Sequence, residues 1–202
     1  MNIPTPSAQS ARRVALIFDD GPHDVHGPRF LELFSRENIR VSFAHIGKNA
    51  VLYPDRVRAA HRAGHEIVNH SYTHPHFCEL TPESMTKELE DTQRLVASIT
   101  GTAPRMFWAP YGDKSDLITR TVQAAGLSVL PMEKLNFVSV SDWDVKNNAE
   151  TIYQRATAGV ADKSVICFHE WREETLAVMP RILANLKAQG CSFLTFSEML
   201  AL

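Results

Sequence analysis

The sequence predicts an α/β fold with mostly parallel strands. Short apolar runs alternate along the chain with longer segments that carry helix signals, a pattern typical of helices packed on a parallel sheet. Roughly seven or eight such units permit a barrel as well as an open sheet. The predicted strands are Val14–Phe18, Val41–Ile46, Glu66–Asn69, Arg105–Trp108, Leu127–Leu130, Phe137–Val140, Ser164–Phe168 and Ser192–Thr195.

Prolines and polar caps begin the predicted helices, and glycines end them. Thr81, Pro82 and Glu83 supply an N-cap, a first-turn proline and an early acid, and this helix is expected to end at Gly101. The other predicted helices are Arg29–Glu37 after Pro28, Pro54–Ala63 before Gly64, the segment after Asp116 that stops at Gly126 and the stretch after Pro180 that stops at Gly190.

Length and composition indicate one folded domain. The chain has 202 residues, of which 44% are hydrophobic and 22% charged, and we expect a tail of residues 1–12 followed by a domain of residues 13–202. A net charge of -2 without a Lys/Arg-rich block makes nucleic acid an unexpected partner, and no apolar run is long enough to span a membrane. The first residues lack the apolar core of a signal peptide, and the three cysteines lack Cys-x-x-Cys spacing. The expected location is therefore cytoplasmic.

Two adjacent carboxylates, Asp19 and Asp20, follow the first predicted strand directly. Neighbouring carboxylates at the end of a buried strand repel each other and resist desolvation. A bound divalent cation would offset that cost, with one carboxylate as ligand and the other as a base on water. The alternative is a solvated Asp-Gly-Pro turn, which the pair alone favours.

Two histidines, His70 and His74, follow the strand Glu66–Asn69. Residues at i and i+4 face the same way if the segment forms one helical turn, which suits a shared metal. With one carboxylate they would make a three-ligand site that leaves positions for water. A pair of surface histidines is the alternative, since the chain also has His61 and His65 at this spacing, on either side of Gly64.

Three further polar clusters also follow predicted strands. A Pro110-Tyr111-Gly112 turn can present backbone N–H groups to an oxyanion, Asp142 and Trp143 can line a sugar pocket or orient a catalytic partner, and His169 is a candidate general acid. Each has an ordinary structural explanation when taken singly. Their convergence on the carboxyl ends of strands favours an enzyme.

The clusters resemble the motifs of the polysaccharide deacetylase family, whose catalytic region is the NodB homology domain (carbohydrate esterase family 4). Residues 17–22 resemble the first motif, residues 64–74 the second, and residues 42–47 the strand between them. The resemblance covers nearly the whole chain from Val14. It implies a distorted (β/α) barrel with about seven parallel strands.

The resemblance also implies a reaction and a role for each residue. The reaction is metal-assisted hydrolysis of an N-acetylated amino sugar or its oligosaccharide or polysaccharide, which releases acetate and a free amine. Asp20, His70 and His74 would bind the metal, usually zinc in this family. Asp19 would be the general base, the Tyr111 backbone N–H would stabilise the oxyanion, and His169 would protonate the leaving amine. The predicted substrate-binding residues are Trp108, Pro110, Asp142, Trp143 and Cys167.

Three positions depart from the family pattern. Trp108 stands where the family has an arginine that hydrogen-bonds the base, and Arg105 is three residues away, on the opposite face of a strand. Ser139 or a neighbour replaces an aspartate of the fourth motif. Cys167 replaces a leucine that walls the acetyl pocket. These departures keep two alternatives open: a deacylase for another acyl group on a sugar, amine or ester, and an inactive carbohydrate-binding protein.

Overall fold

A long first strand organises the sheet, because three other strands pair with it. The computed structural model describes residues 12–202. The strands are β1 (Arg12–Gly21), β2 (Ser42–His45), β3 (Glu66–Asn69), β4 (Asn136–Ser139), β5 (Ser164–His169) and β6 (Cys191–Leu194). The helices are α1 (His26–Glu37), α2 (Gly47–Leu52), α3 (Pro54–Arg62), α4 (Pro82–Thr100), α5 (Asp116–Ala124), α6 (Ala149–Thr157), α7 (Glu173–Ala188) and α8 (Phe196–Leu200).

All strand pairs are parallel, in the order β3-β2-β1-β5-β4, and β6 pairs with the beginning of β1. Isolated bridges extend the sheet beyond β3, from Asn69 to Phe107 and from Met106 to Ser128. Within residues 12–202 no pairing joins Ser128 to β4, so the sheet is not closed there. The predicted parallel α/β fold is confirmed, with six strands; the segments predicted as strands at 105–108 and 127–130 form only single bridges.

Alternation along β1 separates two cores. Val14, Leu16 and Phe18 face the outer cluster beneath α1 and α7, whereas Ala15 and Ile17 face an inner cluster. Since side chains alternate along a strand, Asp19 continues the inner row. Trp108 and Cys167 pack against this inner cluster, so the first carboxylate of the pair is directed toward them.

The helix predictions hold except at the beginnings of α1, which starts at His26 and not after Pro28, and of α7. This helix begins at Glu173, not after Pro180, and Pro180 lies inside it. The N-cap at Thr81 is confirmed, since its side chain accepts from the Ser84 N–H. Helices α2, α6 and α8 are not predicted from the sequence. Among the described helices, none is both long and apolar enough to cross a bilayer.

The predicted tail, residues 1–12, falls outside the described residues except for Arg12. That residue is the first of β1, where its N–H donates to the Gly190 carbonyl oxygen. The described helices and strands all lie in residues 12–202, and the predicted domain boundary at residue 13 stays a prediction.

Candidate active site

The predicted site residues meet at one edge of the sheet. Asp19 and Asp20 lie at the end of β1, His70 follows β3, Asp142 follows β4, and His169 ends β5. The carboxyl ends of parallel strands share an edge, which is where α/β enzymes place their active sites. The structure therefore brings together clusters that lie up to 150 residues apart in the chain.

Asp20, His70 and His74 form a compact group of metal-ligand atoms. One ligand atom from each lies within 4.8 Å of the others. Asp20 Oδ1 is 3.1 Å from His74 Nε2 and 3.5 Å from His70 Nε2. His70 donates its Nδ1–H to the Trp108 carbonyl oxygen at 2.7 Å, which directs Nε2 toward Asp20. Hydrogen bonds from both histidines hold the pKa of Asp20 below its usual range against the opposing effect of burial.

The loop that carries the two histidines is not a helical turn, so the sequence-based reason for their proximity is wrong. Ser71 and His74 both have left-handed backbones, with φ of 64° and 63°. Ser71 Oγ accepts a hydrogen bond from the His74 N–H at 3.0 Å. Glu88 Oε2 accepts hydrogen bonds from the backbone N–H groups of Tyr72 and Thr73 at 2.7 Å each. Side-chain acceptors thus shape the loop and direct both rings toward Asp20.

Asp19 is held through one of its two oxygens. The Trp108 indole N–H donates to Oδ2 at 2.9 Å, and the Cys167 thiol donates to the same oxygen at 3.3 Å. Oδ1 is buried and has no hydrogen-bond partner among the described residues. Asp19 is 6% exposed, and burial raises its pKa, although nearby His70 and His169 oppose that rise. A buried carboxylate with a raised pKa and a free oxygen is suited to accept a proton.

Asp142 orients His169, and its predicted contact with substrate is wrong. Asp142 is fully buried, with Oδ1 2.7 Å from His169 Nδ1 and Oδ2 accepting from the His169 backbone N–H and the Thr175 hydroxyl. Burial alone would lower the pKa of His169, but Asp142, with Asp19 and Asp20, raises it to about 9. His169 is therefore protonated at neutral pH, as a general acid must be.

Tyr111 lies in a short 3-10 turn, residues 110–112, and has a left-handed backbone with φ of 58°. Tyr111 is 62% exposed, and its ring stacks on the His76 ring at 3.8 Å between centroids and lies 4.7 Å from the His74 ring. Pro110 is buried in the turn, and its predicted contact with substrate stays a prediction. The turn therefore places the Tyr111 ring beside His74, one of the candidate metal ligands.

Trp171 is the site residue that sequence reasoning missed. Its indole N–H donates to Asp20 Oδ2 at 3.0 Å. The only signal in the sequence is its place two residues after His169, at the end of β5. Trp143, by contrast, is 58% exposed, and its predicted contact with substrate stays a prediction. Arg105 and Ser139 are both exposed.

An apolar cleft of about 900 Å³ lies beside the site. Trp108 contributes to its wall together with Ile118, Leu130, Met132 and Phe137. None of the three candidate metal ligands lines it, so the cleft adjoins the site through Trp108 and through Ala109 and Gly112, which flank the Tyr111 turn. It occupies the side of the sheet where Ser128 and β4 are not paired.

The sequence is similar to those of known polysaccharide deacetylases. Residues 7–130 match the model of the polysaccharide deacetylase family. The chain is 28% identical over 194 residues to the peptidoglycan-N-acetylglucosamine deacetylase PgdA of Listeria monocytogenes, covering 96% of this chain and 40% of PgdA. It is 27% identical over 187 residues to the peptidoglycan-N-acetylmuramic acid deacetylase PdaC of Bacillus subtilis, covering 92% of this chain and 38% of PdaC. The chain therefore spans about 40% of the length of these relatives.

Among solved structures, a family 4 carbohydrate esterase from Streptomyces lividans, determined in complex with acetate, superposes with a TM-score of 0.81. That protein is 32% identical to this chain, and the match covers 90% of this chain and 91% of the esterase. The match with this esterase covers nearly the whole length of that protein, unlike the matches with PgdA and PdaC.

Proposed function

Because the chain belongs to the polysaccharide deacetylase family, we propose that it is a metal-dependent hydrolase that removes N-acetyl groups from an amino sugar, an oligosaccharide or a polysaccharide. The observation that carries the proposal is the Asp19-Asp20 pair. Asp20 lies within reach of two imidazoles, whereas Asp19 keeps one buried oxygen that has no hydrogen-bond partner within residues 12–202. The two neighbouring carboxylates are therefore placed for two different tasks.

The donor set suits a divalent cation. One carboxylate oxygen and two imidazole nitrogens are typical of catalytic zinc sites, in which water or substrate takes the remaining position. The hydrogen bond from His70 Nδ1 to the Trp108 carbonyl oxygen supports a neutral ligand with its Nε2 lone pair available. When bound, such a cation supplies Lewis acidity to the substrate carbonyl and to water. We propose zinc as the metal.

The chain's own groups account for the proton transfers. Asp19 Oδ1 accepts a proton from the attacking water, which adds to the acetamide carbon. The Tyr111 backbone N–H donates to the developing oxyanion. His169 gives its Nε2 proton to the amide nitrogen, the C–N bond breaks, and acetate and a free amine are released. Asp142 stabilises the protonated His169 through its Nδ1–H.

The names of the relatives support a glycan as the substrate, since PgdA and PdaC are named as deacetylases of peptidoglycan sugars. A second candidate function is removal of a larger acyl group. Cys167 lies beside the base, and the apolar cleft adjoins Trp108, which leaves room beyond an acetyl methyl group. A deacylation screen would separate the two, with released acetate compared with formate and longer acids over N-acylated mono- and oligosaccharides.

Substitutions at the pair test the division of tasks. We expect Asp20→Ala and His74→Ala to lose bound metal and activity together, because each removes one of three ligands. Asp19→Asn should keep the metal and lose at least roughly 100-fold in kcat, because the amide cannot accept the proton. Metal content measured by atomic emission, alongside turnover, checks both expectations.

His61→Ala is the matched control, since this histidine lies on α3 and belongs to no candidate ligand group formed by residues 12–202. It should keep both metal and activity. Full metal occupancy in Asp20→Ala would refute the ligand assignment, and normal turnover by Asp19→Asn would remove Asp19 as the base.

A further inference from the structure

Each aspartate of the pair accepts one hydrogen bond from an indole. Trp108 Nε1 donates to Asp19 Oδ2 at 2.9 Å, and Trp171 Nε1 donates to Asp20 Oδ2 at 3.0 Å. The two tryptophans come from different parts of the chain, one beyond the bridge at Phe107 and the other just beyond β5. In both carboxylates the indole occupies Oδ2, and the chemistry proposed above uses Oδ1.

Trp108 holds the base and a metal ligand at once. Its ring packs against Phe196 at 5.5 Å and Phe137 at 5.9 Å, so the direction of its N–H is set by the inner core. Its carbonyl oxygen accepts from His70 Nδ1 at 2.7 Å. With Oδ2 occupied, the free oxygen of Asp19 is Oδ1, and the rotation of the carboxylate is restricted.

Trp171 acts on the other aspartate. Asp20 Oδ1 faces His74 and His70, at 3.1 and 3.5 Å, whereas Oδ2 faces the indole. This hydrogen bond directs a single oxygen toward the imidazoles. The Asn49 side-chain amide also donates to the Asp20 carbonyl oxygen at 2.8 Å, which holds the left-handed backbone at this residue.

We propose that Trp108 and Trp171 are positioning residues that give Asp19 and Asp20 their separate tasks, the first keeping Asp19 as a proton acceptor and the second keeping Asp20 as a one-oxygen metal ligand. An indole N–H is an uncharged donor, so it orients a carboxylate and leaves its negative charge intact. An arginine at position 108 would orient Asp19 and neutralise it as well. The inference rests on the proposed hydrolysis for the task of Asp19, but the contacts themselves can be tested without turnover.

Phenylalanine substitutions remove each N–H and keep an aromatic ring in place. We expect Trp108→Phe to lower kcat roughly 10- to 100-fold, with KM and zinc affinity changed less than about threefold. We expect Trp171→Phe to weaken zinc binding by roughly 10-fold, with kcat largely recovered at saturating zinc. Tyr153→Phe is the control, because it removes a hydrogen bond between α6 and α7 far from the site and should alter neither quantity.

The indole N–H resonances of the ¹⁵N-labelled full chain supply the readout that needs no activity. Trp108 and Trp171 should resonate downfield of the exposed Trp143, and Asp19→Asn should move the Trp108 signal alone. If the wild-type protein hydrolyses no acylated sugar, the proposed function fails, and these spectra with the zinc titrations still decide the inference. It is overturned if Asp19→Asn leaves the Trp108 resonance in place, or if both tryptophan variants change the same parameter.

Discussion

The charge on His169 is controlled by one buried carboxylate. Asp142 accepts hydrogen bonds from both the ring and the backbone N–H of His169. Its negative charge raises the pKa of the imidazole to about 9. A general acid must be protonated, so activity should persist through neutral pH and fall as the pH rises past about 9. The same raised pKa means that protonated His169 stabilises the fold fully below its ordinary value of 6.5, and that this stabilisation is lost through about pH 9.

Asp142→Asn isolates this effect, because the amide oxygen can still accept from Nδ1 but carries no charge. We expect the alkaline limb of the kcat/KM profile to move to lower pH by roughly 1 to 2 units. Asp144→Asn is the matched control, since its carboxylate accepts from the Lys146 N–H and does not contact His169. An unchanged alkaline limb in Asp142→Asn would show that His169 is not the acid whose ionisation sets that limb.

At the scale of secondary structure, α7 shows where local sequence signals mislead. Pro180 was expected to precede a helix, as prolines often do, yet it lies in the interior of α7. The apolar positions Leu176, Met179, Leu183 and Leu186 keep helical spacing across the proline and are all buried. Burial of this stripe outweighs the hydrogen bond that proline cannot donate. Periodicity was the better signal here.

Pro180→Ala should therefore stabilise the protein. Alanine restores an N–H that can bond to the Leu176 carbonyl oxygen and removes the clash of the proline ring with the preceding turn, a gain of roughly 1 to 3 kcal/mol. Pro82→Ala is the control, because proline in the first turn of α4 costs no hydrogen bond and should give little gain. Chemical denaturation measures both, and a lower free energy of unfolding in Pro180→Ala would contradict this account.

At the scale of the whole molecule, the candidate metal site connects separate parts of the sheet. Asp20 ends the central strand, whereas His70 and His74 lie in the loop beyond β3, and the unpaired edge at Ser128 leaves that side of the fold with fewer strand contacts. A ligand that binds only the folded state stabilises it by mass action. Metal binding should thus be visible in global stability.

Zinc at about 100 times its Kd should contribute about 2.7 kcal/mol and raise Tm by roughly 5 to 10 °C, and a chelator should reverse the shift. Asp20→Ala should show no zinc-dependent shift, because it lacks one of the three ligands. Differential scanning calorimetry provides the measurement. An equal rise in Asp20→Ala would place the stabilising zinc elsewhere on the protein.

Local patterns in the sequence are sufficient to predict the fold class and the residue types of the site. Short apolar runs and helix signals, with caps such as Thr81, are local properties, so they predict the elements and place Asp19, Asp20, His70, His74 and His169 after predicted strands. Which atoms come into contact depends on tertiary packing. Three features of the site depend on groups that are distant in the chain, so no local pattern predicts them. They are the burial of Asp142, the left-handed backbone of Ser71 and His74, and the indole hydrogen bonds of Trp108 and Trp171.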